Sequence, residues 1–520
     1  MFLKYKVDIP VVPGKLVRKN RGGHTYIEYE YDRIYDSVKQ YTYPKRASIG
    51  RVDPENSTRM TPNENFLKYF PDAEIPEETD RSERSPYLNI GTYVVLHKLI
   101  QDCKLKEILD EYMDEKDTGF LLDLACYSII EENNAGQYYP DYAYEHALFT
   151  PDMKIYTDSK VSDFLHGLKP EQSVGFLNSW NKSKNKRQKI YLSYDSTNKN
   201  CQAGDIDLVE YGNAKVDAGL PIFNYSVACD SANRIPLFYE LYPGSLNDVS
   251  QLICMVDKAQ GHGYRNIGFI LDRGYFSKKN LVYMDQNGYS FLIMMKGMKD
   301  FIRGIIEENQ GGFENSWGKY VDRYDVYGTT VKRFLCEGDT KKRRKYFHLN
   351  YEKDGKTLKL AEENTSAVEK ELSLAGYFAI VSSDNMTARE AIELYKSRDE
   401  SEKLFRSDKS YLGNKSMRVH SDEALSSKVF IQFIALILRS RIYIALKEKS
   451  EKMLKKPNYL TVPAALKELE KIVMIRQLDG VYRLDHAVTA TQKTILDAFG
   501  LNEGNVRYQA KEIGNVLQNQ

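Results

Sequence analysis

Hydrophobic and polar positions change period several times along this chain, and each change marks an element boundary. Around Thr25 to Tyr31, TYIEYEY alternates aromatic and charged residues after Gly22-Gly23, and residues 1–60 are predicted to be a small β-rich module. Residues 61–88 are rich in Pro, Asn, Asp and Glu and read as a linker. From Ile90 to about Lys186 the spacing is helical, as in TYVVLHKLIQDCKLKEILDEYM and GFLLDLACYSIIEENN. Short apolar, β-branched and aromatic runs follow. KIYLSYDS, PIFNYSVACDS and IPLFYELYPG predict three strands in a meander. DVSQLICMVDKAQGHG predicts a helix, NIGFILDRG a buried strand, SKKNLVYMDQNG a helix and YSFLIMMK another buried strand.

The order strand, strand, strand, helix, strand, helix, strand predicts an α/β fold with a ribonuclease H-like mixed sheet. The expected catalytic core begins at 187–299 and resumes at 376–450. Residues 300–375 are charged and strand-like and are expected to form an inserted β-rich subdomain. The all-α region, 89–186, is the expected DNA end-binding region, and 451–520 a C-terminal helical tail. Thr387-Ala-Arg-Glu390 is a capping box that opens a helix toward Tyr395.

Composition excludes more than it selects. With 520 residues the chain exceeds one core, and 42% hydrophobic with 28% charged residues is ordinary for a soluble protein. Net charge is +1, but Lys and Arg exceed Asp and Glu by six in residues 1–51 and by seven in 409–456. DNA binding needs only such local surplus. The six cysteines form no C-x2-C pair, which argues against a zinc site or a disulfide framework. MFLKYKVDIPVVPGK lacks a signal peptide's apolar run, and Val429 to Leu438 is too short to span a bilayer. A cytosolic, nucleoid-associated protein without a membrane partner is expected.

The candidate chemistry starts at YKSRDESEKLFRSDK. Tyr395, Arg398, Glu402 and Lys409 stand at Y-x2-R-x3-E-x6-K spacing. On a continuous α-helix all four fall within about 60° of each other. A carboxylate, a phenol and two cations on one face suit a metal ligand beside phosphate-holding groups. Two partner acids are available. Asp195 lies at the end of the first predicted strand, and Asp272 ends the apolar run Ile267 to Leu271. Neighbouring carboxylates repel unless a divalent cation neutralises them. Three hard oxygen ligands point to two Mg²⁺ (or Mn²⁺) ions about 4 Å apart and to in-line displacement at a phosphodiester.

Three blocks carry a family resemblance: YDSTNKN; VACDSANRIPLFYELYPGSLNDVSQL with FILDRGYFS; and the Y-R-E-K signature. Together they resemble a DDE transposase of the insertion-sequence-four superfamily, in its sixteen-thirty-four branch. The clear similarity covers about residues 190–450, and VVPGKLVRKNRGGHTYIEYEY resembles that branch less specifically. The resemblance implies that Asp195, Asp272 and Glu402 are catalytic and ligate the metals. It implies cleavage at the ends of an insertion element and joining of the 3′-OH ends to target DNA. Tyr395, Arg398 and Lys409 would contact DNA near the cut. Trp317, in the expected insertion, is a candidate base-stacking platform, and Arg418 a candidate phosphate contact, with His420 beside it a structural hydrogen-bonder. Partners would be the terminal inverted repeats and target duplex, with a homodimer joining two ends. A ribonuclease H-like nuclease without strand transfer and a domesticated, non-catalytic DNA-binding protein are the alternatives.

Overall fold

The computed structural model describes residues 7–37, 39–53, 56–71, 73, 84–184, 189–202, 206–212, 219–246, 248–296, 299–334, 344–352, 372–398, 411–413, 416–455, 457–477 and 481–518. The chain divides into two compact units, Met1–Ser82 and Glu83–Gln520.

The first unit is an antiparallel sheet of β1 (Val7–Asp8), β2 (Leu16–Arg21), β3 (His24–Asp36), β4 (Tyr41–Val52) and β5 (Arg59–Pro62), in the order β1-β5-β4-β3-β2. Gly22 and Gly23 both take positive φ, which lets a two-residue turn join β2 to β3. Val7, Ile27, Ile49, Met60 and Phe66 form its small core. Phe66 comes from α1 (Glu64–Tyr69), whose N-cap Asn63 accepts a hydrogen bond from the Asn65 amide. The expected linker is therefore corrected at its start. β5 and α1 belong to this unit because Met60 and Phe66 are needed to close its core.

In the second unit the helical region comprises α2 (Gly91–Asp102), α3 (Leu105–Asp110), α4 (Glu115–Ile130), α5 (Tyr139–Glu145), α6 (Asp158–Gly167) and α7 (Pro170–Lys182), after a short strand β6 (Tyr87–Asn89). The central sheet follows. It holds β7 (Ile190–Cys201), β8 (Ile222–Asp230), β9 (Ile235–Pro243), β10 (Ile267–Leu271) and β11 (Ser290–Met294), with α8 (Asp248–Gly261) and α9 (Lys278–Gln286) between the later strands. β7, β10 and β11 are mutually parallel, while β8 runs antiparallel beside β7 and β9 antiparallel beside β8.

The expected insertion is not a separate subdomain. It opens with α10 (Lys299–Asn309), and β12 (Tyr320–Val321), β13 (Val326–Phe334) and β14 (Arg344–Glu352) continue the same sheet through β15 (Tyr377–Ser382). The full order is β12-β13-β14-β15-β11-β10-β7-β8-β9. The reason is apolar: Phe347, Leu349, Ala379 and Val381 bury their side chains in the main core.

α11 (Ala388–Lys396) packs on this sheet, and β16 (Ser416–Met417) pairs with the far end of β7. α12 (Asp422–Glu451) runs through the middle, against α4, α6, α7 and β9. It is long and apolar enough to cross a membrane, yet 78% of its most apolar window is buried inside the unit, as in a core helix. The C-terminal segment is not simply a helical tail. α13 (Val462–Leu469), α14 (Ala490–Asp497) and α15 (Glu503–Gln518) flank β17 (Val473–Arg476) and β18 (Tyr482–Leu484), and β17 pairs with β6. The segment thus docks back on the start of the unit.

Candidate active site

Two parallel strands bring the first two acids together. The ladder of β7 with β10 runs from Ile190 opposite Ile267 to Tyr194 opposite Leu271. Asp195 and Asp272 each follow the last registered pair, so their backbones are neighbours across the ladder, about 5 Å apart by strand spacing. The Asp195 side chain lies outside the described residues. That of Asp272 is about one-third exposed.

The local sequence explains why Asp272 stays at the rim. It starts a single 3₁₀ turn, Arg273–Tyr275, and its carboxylate does not cap that turn. Tyr275 is buried instead, its ring 5.5 Å from that of Tyr194, its backbone carbonyl accepting from Asn280 Nδ2 at 3.0 Å. The aromatic pair ties the residue just before Asp195 to the turn just after Asp272. Gly274 leaves open space, with Asp272 Oδ2 the nearest atom, 3.7 Å from where a Cβ would stand.

α11 and the turn after it deliver Arg398 to the same rim. Thr387 and Glu390 form its capping box. Ala388, Ala391, Ile392 and Tyr395 make one buried stripe against Ile270, Leu292, Val321, Val326 and Ile380. This corrects two expectations. Tyr395 is a core residue, only 4% exposed, not part of a polar face. The helix stops at Lys396, and the Arg398 amide closes a turn to the Tyr395 carbonyl, so Arg398 stands beyond the helix that carries Tyr395. Arg398 nonetheless reaches Asp272. Its guanidinium lies 3.4 Å from Asp272 Oδ1 and 5.4 Å from the Tyr395 ring centroid. Glu402 and Lys409 lie outside the described residues.

Trp317 is 87% exposed, in a 3₁₀ turn before β12, with Tyr320 edge-on to its ring at 5.8 Å. It is five strands from β10 in the sheet order. α11 bridges the gap, since Arg389 Nη2 donates to the Tyr320 carbonyl at 2.6 Å. A groove of about 470 Å³ lies there, lined by Lys319, Tyr320, Thr330, Asn385, Thr387 and Arg389 among others. Arg418 is exposed just after β16, whose partner on β7 is Cys201. That is six residues, or roughly 20 Å of strand, beyond position 195. His420 is exposed as well.

Sequence reasoning missed two buried lysines near Arg418. Lys199 on β7 is fully buried, its ammonium 4.3 Å from the Tyr225 ring centroid. Lys428 on α12 is 4% exposed, and burial, with Arg418 and Lys199 adding repulsion, pushes its pKa down to about 8. The available signal was a Lys inside each of two otherwise buried stretches.

The donor set suits a hard divalent cation in type: a carboxylate at the rim that caps nothing, beside the backbone of a second acid. Among the described residues, no group of three His, Cys, Asp or Glu could hold a metal, and two of the three expected ligands are outside that set.

Comparison with known proteins gives one family match. Residues 195–438 match the family model of the transposase DDE domain, which runs from the first acid into α12. The match supports a DDE transposase family and, in general terms, a DNA-cutting and DNA-joining enzyme. No curated protein matches the chain. Among solved structures it is similar to a piggyBac transposase synaptic complex with hairpin DNA, at 10% identity and a TM-score of 0.37, covering 85% of this chain and 87% of that one. A likeness that low carries no argument.

Proposed function

We propose that this protein is a DNA transposase that cleaves at the ends of its insertion element and joins the 3′-OH ends to target DNA. The observation that carries the reading is the convergence at one rim of position 195, the Asp272 carboxylate and Arg398 at 3.4 Å. The strand order β9-β8-β7-β10-β11, with three antiparallel strands feeding parallel ones, supports a ribonuclease H-like core. The insertion-sequence-four assignment and its sixteen-thirty-four branch rest on the three ordered blocks around Asp195, around Asp272 and at the Y-R-E-K signature.

Asp195, Asp272 and Glu402 would hold two Mg²⁺ or Mn²⁺ ions, which supply a lowered pKa for the attacking hydroxyl and charge stabilisation for the leaving oxygen. The chain's own part is positioning. The Tyr194–Tyr275 pair fixes the two strand ends that carry the acids. Arg398 offers a planar fork for a phosphate next to Asp272. Tyr395 acts through Arg398, since its own ring is packed away from solvent. Lys409 adds a looser phosphate contact, Arg418 a distant one, and Trp317 an exposed platform for an unstacked base. End recognition belongs to the region ahead of the core, and two copies synapse two ends in the cytosol, at the nucleoid.

The test is joining of pre-cleaved inverted-repeat DNA to a plasmid with Mg²⁺. The intact chain should join the DNA and Asp272→Ala should not. Equal behaviour of the two would end the metal-site reading.

A further inference from the structure

The β3–β4 hairpin of the first unit is longer than the sheet that supports it. β2 pairs with β3 only from His24 to Tyr29, and β5 pairs with β4 only from Gly50 to Val52. Among the described residues, Asp32–Asp36 and Tyr41–Lys45 pair only with each other. They form a bare two-stranded ribbon about 17 Å long by strand rise. Irregular register at Ile27/Glu28 and Glu30/Asp32 marks its root. Such a ribbon is marginally stable in water by itself.

Its tyrosines face outward. Tyr35, Tyr41 and Tyr43 are 62, 51 and 40% exposed. Directly opposed residues share a face, so Tyr43 with Ile34 and Tyr41 with Asp36 lie on one side, and Tyr35 with Thr42 on the other. The Tyr41 and Tyr43 rings sit 6.2 Å apart. Charge follows a similar plan. Residues 31–46 hold Arg33, Lys39, Lys45 and Arg46 against Asp32 and Asp36, and β2 adds Arg18, Lys19 and Arg21 with no acid. The acids at the root are sunk while their partners stand out. The Glu30 side chain is 7% exposed and its partner Arg33 67%; Glu28 is 11% exposed and its partner Arg21 59%.

We infer that this ribbon is a contact for double-stranded DNA, entering a groove with tyrosines toward both walls and the flanking cations on phosphates. The inference rests on the transposase reading and names the element that touches the duplex. The major groove admits a two-stranded ribbon. Aromatic residues on both faces fit a cleft with two walls, whereas a lipid surface would select one apolar face.

Fluorescence anisotropy of the full chain tests this, with a labelled duplex copied from the DNA just outside the reading frame. Tyr35→Ala/Tyr43→Ala should raise Kd at least tenfold (about 1.4 kcal/mol). Arg33→Ala/Lys45→Ala should flatten the dependence of binding on salt by about two phosphate contacts. A photo-crosslinking residue at position 35, in the otherwise intact chain, should attach to the duplex, which keeps the test valid if a double variant folds poorly. Parent-like binding by the tyrosine variant would overturn the inference, as would crosslinks to a second copy of the chain or preference for phosphatidylserine vesicles over duplex. If DNA joining still fails on Asp272→Ala while the ribbon variants bind normally, the ribbon falls and the transposase reading stands. If Asp272→Ala joins DNA normally, the transposase reading falls and the inference with it.

Discussion

Two aspartates of the second unit occupy opposite situations. Asp123, in α4, is fully buried and accepts from the Phe149 amide at 2.6 Å, the Thr150 amide at 2.9 Å and Thr150 Oγ1 at 2.6 Å. Burial pushes its pKa up to about 7, against those three donors and the charge of Arg84. Asp272 is one-third exposed, caps nothing, and has Arg398 as its described partner at 3.4 Å. The saturated carboxylate ties α4 to the 149–150 loop. The open one has lone pairs left for a ligand. A carboxylate that serves the fold uses its acceptors within the protein, whereas one that serves chemistry keeps them available.

Substitution should separate the two. Asp272→Ala should reduce strand joining by at least about a thousandfold, the scale of losing an essential electrostatic group, and leave the melting temperature almost unchanged. Loss of both would mean that Asp272 is structural after all. Asp123→Ala should do the reverse. It strands three donors, so stability should fall by about 3 kcal/mol in urea unfolding while the folded fraction stays active. The raised pKa also fixes a sign. Because the folded state holds its proton above the unfolded value near 4, stability should decline as pH rises from about 4 to 7. Asp123→Asn should flatten that decline.

A smaller effect tests the link between α11 and the acids. Arg398→Lys keeps the charge but loses the planar fork. Joining should fall roughly tenfold, about 1.4 kcal/mol, without recovery at higher Mg²⁺. Full activity would show that the 3.4 Å approach to Asp272 is incidental.

These contrasts explain what could be read from residues alone. The meander and the parallel strands were legible because β8 and β10 are apolar runs bounded by turn residues, and strand period leaves little choice. Asp272 was legible as the residue that breaks such a run. The extended sheet was not. Phe347 and Leu349 alternate with polar residues as in any half-buried strand, and no local rule says which edge they join. Tyr395 misled for a related reason. Its spacing to Arg398 and Glu402 suggested a polar face, while its spacing to Ala388, Ala391 and Ile392 placed it on the apolar one. Burial decided, because Ile270, Leu292, Val326 and Ile380 form an apolar patch under that stripe of α11. The docked C-terminal segment was invisible for want of a local signal, since β17 finds its partner β6 almost 400 residues earlier.

That docking supplies the mildest prediction. His146 Nε2 lies 2.7 Å from Glu470 Oε2, and Thr92 Oγ1 donates to the other carboxylate oxygen. Burial lowers the His146 pKa, but the hydrogen bond and charge of Glu470 outweigh it, with Glu131 and the Tyr142 carbonyl helping, and the net shift is upward. A raised histidine stabilises the fold fully below its unfolded pKa near 6.5, and that contribution is lost as pH climbs through the folded value. Amide exchange in β17 should therefore quicken slightly as pH rises above about 6.5, beyond the intrinsic effect of pH. Glu470→Gln should remove the excess while Asp272→Ala preserves it. An excess that survives Glu470→Gln would mean that the C-terminal segment is held by its apolar contacts, Leu469, Ile472 and Met474, with no help from the ion pair.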